Sequence, residues 1–171
     1  AEGDHIRGIV TAPSNKAVYE IMEDVAEVRE AFQESGEGIL SELQIVRASG
    51  RSTEDMDQVD GVEYLNYSQD EDRVTELAGD LSRERGLCAF TGGEPDAPES
   101  ILIFVTPSGS YGFMNKIARS WGYDNARDVL GGLQSYFNFL AVDEASMMPL
   151  GQFLLSGAFT NEKSQILVGG D

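Results

Sequence analysis

The chain has very little of the chemistry on which most catalytic and metal sites depend. Among its 171 residues there is one cysteine, Cys88, and one histidine, His5. A single cysteine excludes an intramolecular disulfide, and one Cys with one His cannot supply the usual ligand set of a zinc site. His5 lies in a polar amino-terminal segment, so Cys88 has no histidine after it to act as the base of a cysteine nucleophile. We therefore expect no metal and no cofactor, and expect Cys88 to be buried.

Positive charge is also scarce. Lys and Arg together number 12 against 30 Asp and Glu, which gives a net charge of −18. No cluster of basic residues is present to displace counterions from phosphates, so direct binding to nucleic acid is not expected. The acids are interspersed with apolar positions, which predicts a hydrated carboxylate surface of the kind that suits concentrated salt. This predicts a protein of a halophilic organism or of its virus; an ordinary acidic mesophilic protein is the alternative.

Long apolar runs are missing as well. No stretch approaches the roughly 20 apolar residues that a membrane helix needs, and the first residues carry neither the basic nor the apolar region of a secretion signal. The sequence thus predicts no membrane span and a location in the cytoplasm or within a viral particle. The 41% of apolar residues can form a core, so the composition excludes wholesale disorder.

Hydrophobic spacing predicts alternating strands and helices along the whole chain. Val18, Met22 and Val25 recur at helical spacing after a cap at Ser14 or Asn15, and the unbroken apolar run at 101–105 is typical of a central strand. The predicted strands are Ile6–Thr11, Ile39–Ala48, Val62–Tyr67, Leu87–Phe90, Ile101–Val105, Ser135–Val142, Gln152–Phe159 and Ser164–Val168. For Ile39–Ala48 a helix is the alternative, because its apolar residues also fit one helical face. The predicted helices are Ser14–Phe32, Asp70–Arg85, Phe113–Trp121 and Asp124–Leu133, and Thr160–Lys163 is predicted to be a hairpin turn.

This order predicts an α+β fold with a mainly antiparallel sheet and helices packed on one face. Residues 1–95 have the order βαββαβ of a ferredoxin-like unit, and residues 96–171 form a β-α-α-β-β-β portion. A doubly wound parallel sheet is the alternative. We expect a single domain over residues 1–171, with a subdivision near residue 95.

One segment has the composition of an anion-binding loop. Residues 106–112 leave the most apolar strand and precede a helix, so small residues there can present backbone N–H groups to a phosphate or carboxylate. The predicted contacts are Thr106, Ser108, Gly109, Ser110 and Lys116. The spacing is neither that of a P-loop nor that of a dinucleotide fingerprint. A strand-to-helix connection whose small residues serve only caps and turns is the alternative.

One acidic segment lacks the full ligand pattern of a calcium-binding loop. Glu54–Gly61 resembles the start of a calcium loop, but Val59 stands where a ligand should be and Asn66 where the closing Glu should be. The sequence favours a solvated acidic loop, and loose cation binding by several carboxylates is the alternative.

Apolar and aromatic residues also fall at breaks between predicted elements, where a partner could reach them. The candidates for a partner interface are Tyr111, Trp121, Tyr123, Met147, Met148 and Leu150; core packing is the alternative. Because the catalytic inventory is thin, the sequence favours a binding or assembly protein, a subunit of a homo-oligomer or larger particle such as a virion. A small-molecule enzyme that holds an anionic substrate at residues 106–112 is the competing hypothesis.

Overall fold

A computed structural model describes residues 6–35, 39–54, 56–82, 100–130 and 137–170. Within these ranges six strands form one sheet. The strands are β1 (Arg7–Thr11), β2 (Leu43–Ser49), β3 (Val62–Asn66), β4 (Ser100–Phe104), β5 (Phe137–Val142) and β6 (Thr160–Val168). The α-helices are α1 (Asn15–Ser35), α2 (Glu71–Ser82), α3 (Pro107–Ser120), α4 (Ala126–Leu130) and α5 (Leu150–Gly157).

All neighbouring strands are parallel, in the order β3-β2-β4-β1-β5-β6. The fold is therefore α/β, and the predictions of a mainly antiparallel sheet and of a ferredoxin-like first half were wrong. Alternation of strands and helices fits both architectures, and what distinguishes them is the burial of the strands. Every residue of β1 and of β4 is buried, as in a parallel sheet that is covered on both faces.

Helices lie on both faces of the sheet, not on one as predicted. On the first face, which we call the α1 face, Val18 and Met22 of α1 pack in one apolar cluster with Phe104 and other strand residues. On the opposite face, which we call the α3 face, Leu77 of α2 and Phe113 of α3 pack with the strand residues whose side chains point to that side of the sheet. Residues of α4 and α5 join this second cluster, so α1 is the only α-helix of the described residues that packs into the cluster of its face.

The loop predicted at 106–112 was wrong, because residues 107–112 lie in α3. Thr106 caps the helix, with its hydroxyl accepting a hydrogen bond from the N–H of Gly109, and Pro107 follows at the first helical position. Proline at that position lacks only an N–H that would have no partner within the helix. Gly109 and Gly112, which suggested a loop, instead allow close packing against Val105 and Tyr67.

Two further elements differ from expectation near the carboxyl end. Residues 152–159 lie largely in α5 and not in a strand, since a short apolar run does not distinguish a buried strand from a helix. Residues 160–163 belong to β6 and are not a hairpin turn, since β6 runs parallel to β5 and the chain returns through α5. The strand predicted at Leu87–Phe90 lies outside the described residues, as do Cys88 and His5.

Candidate functional site

The sheet has a topological switch point between β1 and β4, where parallel α/β proteins commonly bind ligands. These strands are neighbours, but the chain leaves the carboxyl end of β1 for the α1 face and that of β4 for the α3 face. Such divergence opens a crevice at the carboxyl edge of a sheet. The first turns of α1 and α3 contain no acidic residue, whereas α2 begins with Glu71 and Asp72.

Arg47 is buried beside this edge and donates hydrogen bonds to three neutral oxygens. Its exposed fraction is 3%. The guanidinium donates to the backbone oxygens of Ala48 and Phe104 at 2.8 and 2.9 Å, and to Oδ1 of Asn15 at 2.8 Å. Burial lowers its pKa from the ordinary value. Arg47 thus ties β2 and β4 to the start of α1, which is a structural role that needs no ligand.

Four of the five residues predicted to hold an anion, Thr106, Ser108, Gly109 and Ser110, lie together at the start of α3, whereas Lys116 lies apart from them. The N–H of Gly109 is already engaged by the Thr106 hydroxyl, at 3.3 Å. Ser110 is fully buried, and its Oγ donates to the carbonyl of Pro107. Lys116 lies more than two turns along α3, with its Nζ 3.7 Å from Oε1 of Glu71. Of the set, only Ser108 is exposed at the first turn.

Glycines at this edge surround the side chain of Tyr67 instead. A Cβ built on Gly50 or on Gly112 would stand 2.7 or 2.8 Å from the Tyr67 hydroxyl oxygen, and one on Gly109 would stand 2.8 Å from Cγ2 of Val105. Tyr67 also packs edge-on against Phe113, with ring centroids 6.1 Å apart. Burial raises the pKa of Tyr67. These glycines therefore admit an aromatic side chain of the core.

The surface that stands out lies at the β6 side of the molecule. Six large apolar side chains from the last part of the chain are at least half exposed: Met147, Leu150, Leu154, Ile166, Leu167 and Val168. We call them the apolar end. The sequence from Ala145 to Asn161 contains no charged residue, in a chain whose net charge is −18. Exposed apolar groups with little charge among them are typical of the core of a protein interface.

Strand β6 contributes to this surface from both of its faces. The register pairs Leu140 with Ile166 and Ala141 with Leu167, and Leu140 belongs to the core of the α3 face whereas Ala141 packs against that of the α1 face. Ile166 therefore belongs to the α3 face and Leu167 to the α1 face. Within the described residues, the outer edge of β6 has no strand beside it.

The opposite edge of the sheet is protected by charge. Glu63 of β3 accepts two hydrogen bonds from Arg73 of α2, at 2.5 and 2.8 Å, and a third from Gln44 at 2.7 Å. These bonds, chiefly the one from Arg73, hold the pKa of the Glu63 carboxyl below its usual value. A short charged edge strand resists pairing with another chain. The β3 edge is thus charged, whereas the β6 edge carries exposed apolar side chains.

The predicted interface residues divide between surface and interior. Met147 and Leu150 are 74% and 71% exposed and belong to the apolar end. Met148 is buried, Tyr111 and Trp121 are half-buried against the core, and the Trp121 indole N–H donates to the carbonyl of Ala78. Tyr123 is 40% exposed, but it follows α3, which returns the chain to the amino edge of the sheet, whereas Met147 follows the carboxyl end of β5.

Sequence reasoning missed Arg47 and the exposed side chains of Leu154, Ile166 and Leu167. An arginine within the apolar run of β2 was a usable signal, since a charge in a central strand must find partners. The exposure of β6 had no such signal, because its apolar pattern is that of a buried strand.

The described residues hold no group of three or more His, Cys, Asp and Glu side chains arranged to bind a metal. None of the helices described is long and apolar enough to cross a bilayer. No family model, curated protein or solved structure matches this chain.

Proposed function

We propose that this protein is an assembly subunit that pairs with a second copy of itself through the apolar end and the outer edge of β6. The observation that carries the proposal is the exposure of Ile166, Leu167 and Val168, at 56%, 62% and 50%, on a strand whose outer edge has no strand beside it within the described residues. Open edge strands present rows of unpaired N–H and C=O groups, and in stable proteins these are usually covered or paired.

A second copy fits this surface better than a charged partner does. The segment 145–161 offers no charge to a complementary surface, so its partner must itself be apolar and nearly uncharged there. Every copy of the chain carries such a surface. When β6 pairs antiparallel with β6 of a second copy, a two-fold axis covers both open edges at once and the assembly closes.

Head-to-tail association is disfavoured by the other edge. Addition of β6 to β3 of the next copy would bring Ile166 and its neighbours against the strand that carries the Glu63–Arg73 ion pair. That arrangement would also leave one open edge and grow into a filament. The difference between the edges therefore supports a closed dimer as the unit of any larger particle.

The test places a lysine in the edge strand. Ile166→Lys puts a charge into the pairing surface, and we expect the dissociation constant of the dimer to rise about 30-fold or more, the effect of losing a central apolar contact. Sedimentation equilibrium over a concentration series, in about 1 M KCl where the Debye length is about 3 Å, measures this constant.

Ser68→Lys is the matched control. Ser68 is exposed beside the opposite edge of the sheet, after β3, and the substitution changes the net charge by the same amount. It should leave the dissociation constant unchanged. A wild-type chain that stays monomeric at all concentrations, or two variants with equal effects, would contradict the proposal.

A further inference from the structure

The α1 face carries an apolar groove beside α1. A cavity of about 380 Å³ lies between this helix and the sheet, and its accessible wall is apolar. At its β6 end the cavity reaches Leu167, which belongs to the edge that the proposed dimer covers. The part nearer α1 is independent of that edge. We call this part the α1 groove, and it is lined by Ile21, Val25, Val28, Phe139 and Ala141.

Helix α1 has two apolar stripes, and only one of them packs on the sheet. The buried stripe consists of Val18, Met22 and Ala26. The second stripe recurs at intervals of four, three and four residues and consists of Ile21, Val25, Val28 and Phe32. At about 100° per residue the two stripes lie roughly 90° apart around the helix. Val28 and Phe32 are 51% and 40% exposed, so the second stripe faces along the sheet and lacks a partner among the described residues.

The floor of the α1 groove is an uncovered part of the sheet. Residues of four α-helices join the cluster of the α3 face, whereas α1 alone among the described helices joins that of its own face. A Cβ on Gly8 would stand 2.5 Å from Leu102 and 2.8 Å from Phe139, so these two side chains close the floor where β1 has none. The space beside α1 therefore has the position of a second helix of the same layer.

The chemistry of the wall favours a helix over an extended peptide as the occupant. An extended segment would bring backbone N–H and C=O groups against a wall that offers them no hydrogen-bond partner, which is costly. A helix satisfies these groups within itself. The second stripe also has the spacing with which one helix packs against another. From Ile21 to Phe32 it spans about 16 Å, the length of about three helical turns.

The rim of the α1 groove is acidic. By helical spacing, three exposed acids lie on the solvent side of the second stripe: Glu20, Asp24 and Glu27. Lys16 pairs with Glu20 at one end, at 3.5 Å. Basic side chains along the outer flank of a docked helix would lie beside these carboxylates, whereas acidic ones would be repelled. A second copy of this chain is disfavoured as the occupant, because it brings a net charge of −18 to the same rim.

We propose that the α1 groove binds an amphipathic helix of a partner protein, apolar on one face and basic along its outer flank. Its apolar side chains fill the cavity beside the second stripe, and its basic side chains lie beside the acidic rim. This is the mode in which a helix binds a hydrophobic groove through apolar residues three and four positions apart. It adds a partner of a different kind to the proposed assembly and does not depend on dimerisation.

The test uses three synthetic peptides of 16 residues. The first, LKALLKKLAKLLKALK, forms a helix with leucine on one face and lysine beside it. The second has glutamate in place of every lysine, and the third has the composition of the first in an order without an apolar face. By calorimetric titration in about 0.15 M KCl, the first peptide should bind at least tenfold more tightly than either of the others. Equal binding of the third would show general attraction to the negative charge and would overturn the proposal.

Methyl resonances locate the bound peptide. In protein labelled at Ile, Leu and Val methyl groups, the first peptide should shift the resonances of Ile21, Val25 and Val28. Those of Leu150 and Leu154, which belong to the apolar end, should stay in place. Shifts centred on Leu150 and Leu154 would assign the peptide to the dimer surface and refute docking in the α1 groove.

Two matched variants test the contact. Val28→Gln removes an exposed apolar side chain of the second stripe without changing the charge, and should weaken binding of the first peptide about tenfold, as loss of a central apolar contact does. Leu154→Gln makes the same kind of change at a side chain that is 62% exposed on α5, and should bind the peptide as the wild type does. Unchanged affinity in a folded Val28→Gln variant, or equal losses in both variants, would contradict the proposal.

The outcome is separable from that of the assembly proposal. Val28→Gln should leave the dissociation constant of the dimer unchanged, and Ile166→Lys should bind the first peptide as the wild type does. A wild-type chain that is monomeric but binds the peptide would refute the dimer alone. A peptide that binds the dimeric wild type but not Ile166→Lys would show that a second copy completes the site, and would refute docking on a single chain.

Discussion

At the scale of single residues, the glycines of α3 show how one side chain can decide a local structure. Gly112 lies inside a helix, where glycine costs about 1 kcal/mol relative to alanine. A Cβ there would stand 2.8 Å from the Tyr67 hydroxyl oxygen and 3.2 Å from Cε2 of its ring, so a larger residue would not fit without a shift of the Tyr67 side chain.

We predict opposite effects for two Gly→Ala substitutions. Gly112→Ala should destabilise by about 1 kcal/mol net, since a steric cost of about 2 kcal/mol exceeds the gain in helix propensity. Gly79→Ala in α2, where a Cβ meets nothing within 4 Å, should stabilise by about 0.5 to 1 kcal/mol. Urea unfolding measures both.

Combination of Gly112→Ala with Tyr67→Phe tests whether the Tyr67 hydroxyl causes the steric cost. Without the hydroxyl oxygen, the cost of Gly112→Ala should fall, so the double-mutant cycle should give a favourable coupling energy. If the two substitutions are additive, the Tyr67 hydroxyl is not what excludes a side chain at Gly112.

Glu63 predicts a pH dependence. Its hydrogen bond with Arg73 depresses its pKa in the folded state below the unfolded value of about 4.5. A group with a lowered folded pKa stabilises the fold fully above its unfolded pKa, and this contribution is lost as the pH falls through the folded pKa. Glu63→Gln should therefore cost about 1 kcal/mol at neutral pH, in keeping with a partly exposed pair, and little once the pH lies below both values.

Urea unfolding of the wild type and of Glu63→Gln at a series of pH values checks this. The difference between the two unfolding free energies should shrink on acidification. Glu30→Gln, at an exposed position of α1, is the control and should show a smaller difference. A gap between wild type and Glu63→Gln that widens towards acid pH would contradict the assigned direction.

At the scale of elements, local pattern predicted strands and helices better than it predicted their arrangement. β1, β3 and β4 and the start of α1 follow from apolar spacing and from the cap predicted at Ser14 or Asn15. In the structure Ser14 is the cap, and its Oγ accepts from the N–H of Ala17 at 3.1 Å. The direction of the strands did not follow, because it depends on which residues 94 positions apart become neighbours, as Arg7 and Ile101 do.

The two misassigned segments have a common physical cause. In α5 the sequence Leu-Gly-Gln-Phe-Leu-Leu is apolar on the exposed side as well as on the buried side, with Leu150 and Leu154 facing outward. In α3 the small residues of the first turns suggested a loop. Both helices depart from a simple amphipathic pattern because contacts outside the helix determine which residue types fit at those positions. In α3 the contact is with the Tyr67 ring. In α5, on our proposal, it is with a second copy.

The edge strand gives a prediction at this scale. Backbone amides in Gln165–Val168 that point away from β5 should exchange with deuterium rapidly in the monomer and slowly in the dimer, because pairing protects them. Hydrogen exchange in the wild type at low and high protein concentration measures this. Amides of β3, at the protected edge, should show no concentration dependence, and a change there would indicate head-to-tail association instead.

At the scale of the whole molecule, charge sets the conditions under which the fold and the dimer are stable. A net charge of −18 opposes compaction and also the approach of two copies. Salt at about 1 M reduces the Debye length to about 3 Å, so the repulsion between surface carboxylates becomes short-ranged.

We therefore predict that KCl raises the unfolding temperature and strengthens dimerisation together. Replacement of the exposed acids Glu20, Glu23, Glu27 and Glu30 of α1 by glutamine should reduce the dependence of both quantities on salt. Differential scanning calorimetry and sedimentation over a KCl series measure them. An unfolding temperature that does not depend on salt would show that charge repulsion does not determine the stability of the fold, as in an ordinary acidic protein.

The position of β1 has a consequence for how the molecule forms. β1 is the first of the strands described, yet both of its neighbours, β4 and β5, lie in the later part of the sequence. The strands that pair with it in the described structure are complete only after nearly a hundred further residues, and so large a separation slows the search for the native arrangement. During synthesis Ile9 and Val10 therefore stay exposed in a partly formed chain, where chaperones can bind them before β4 and β5 pair with β1.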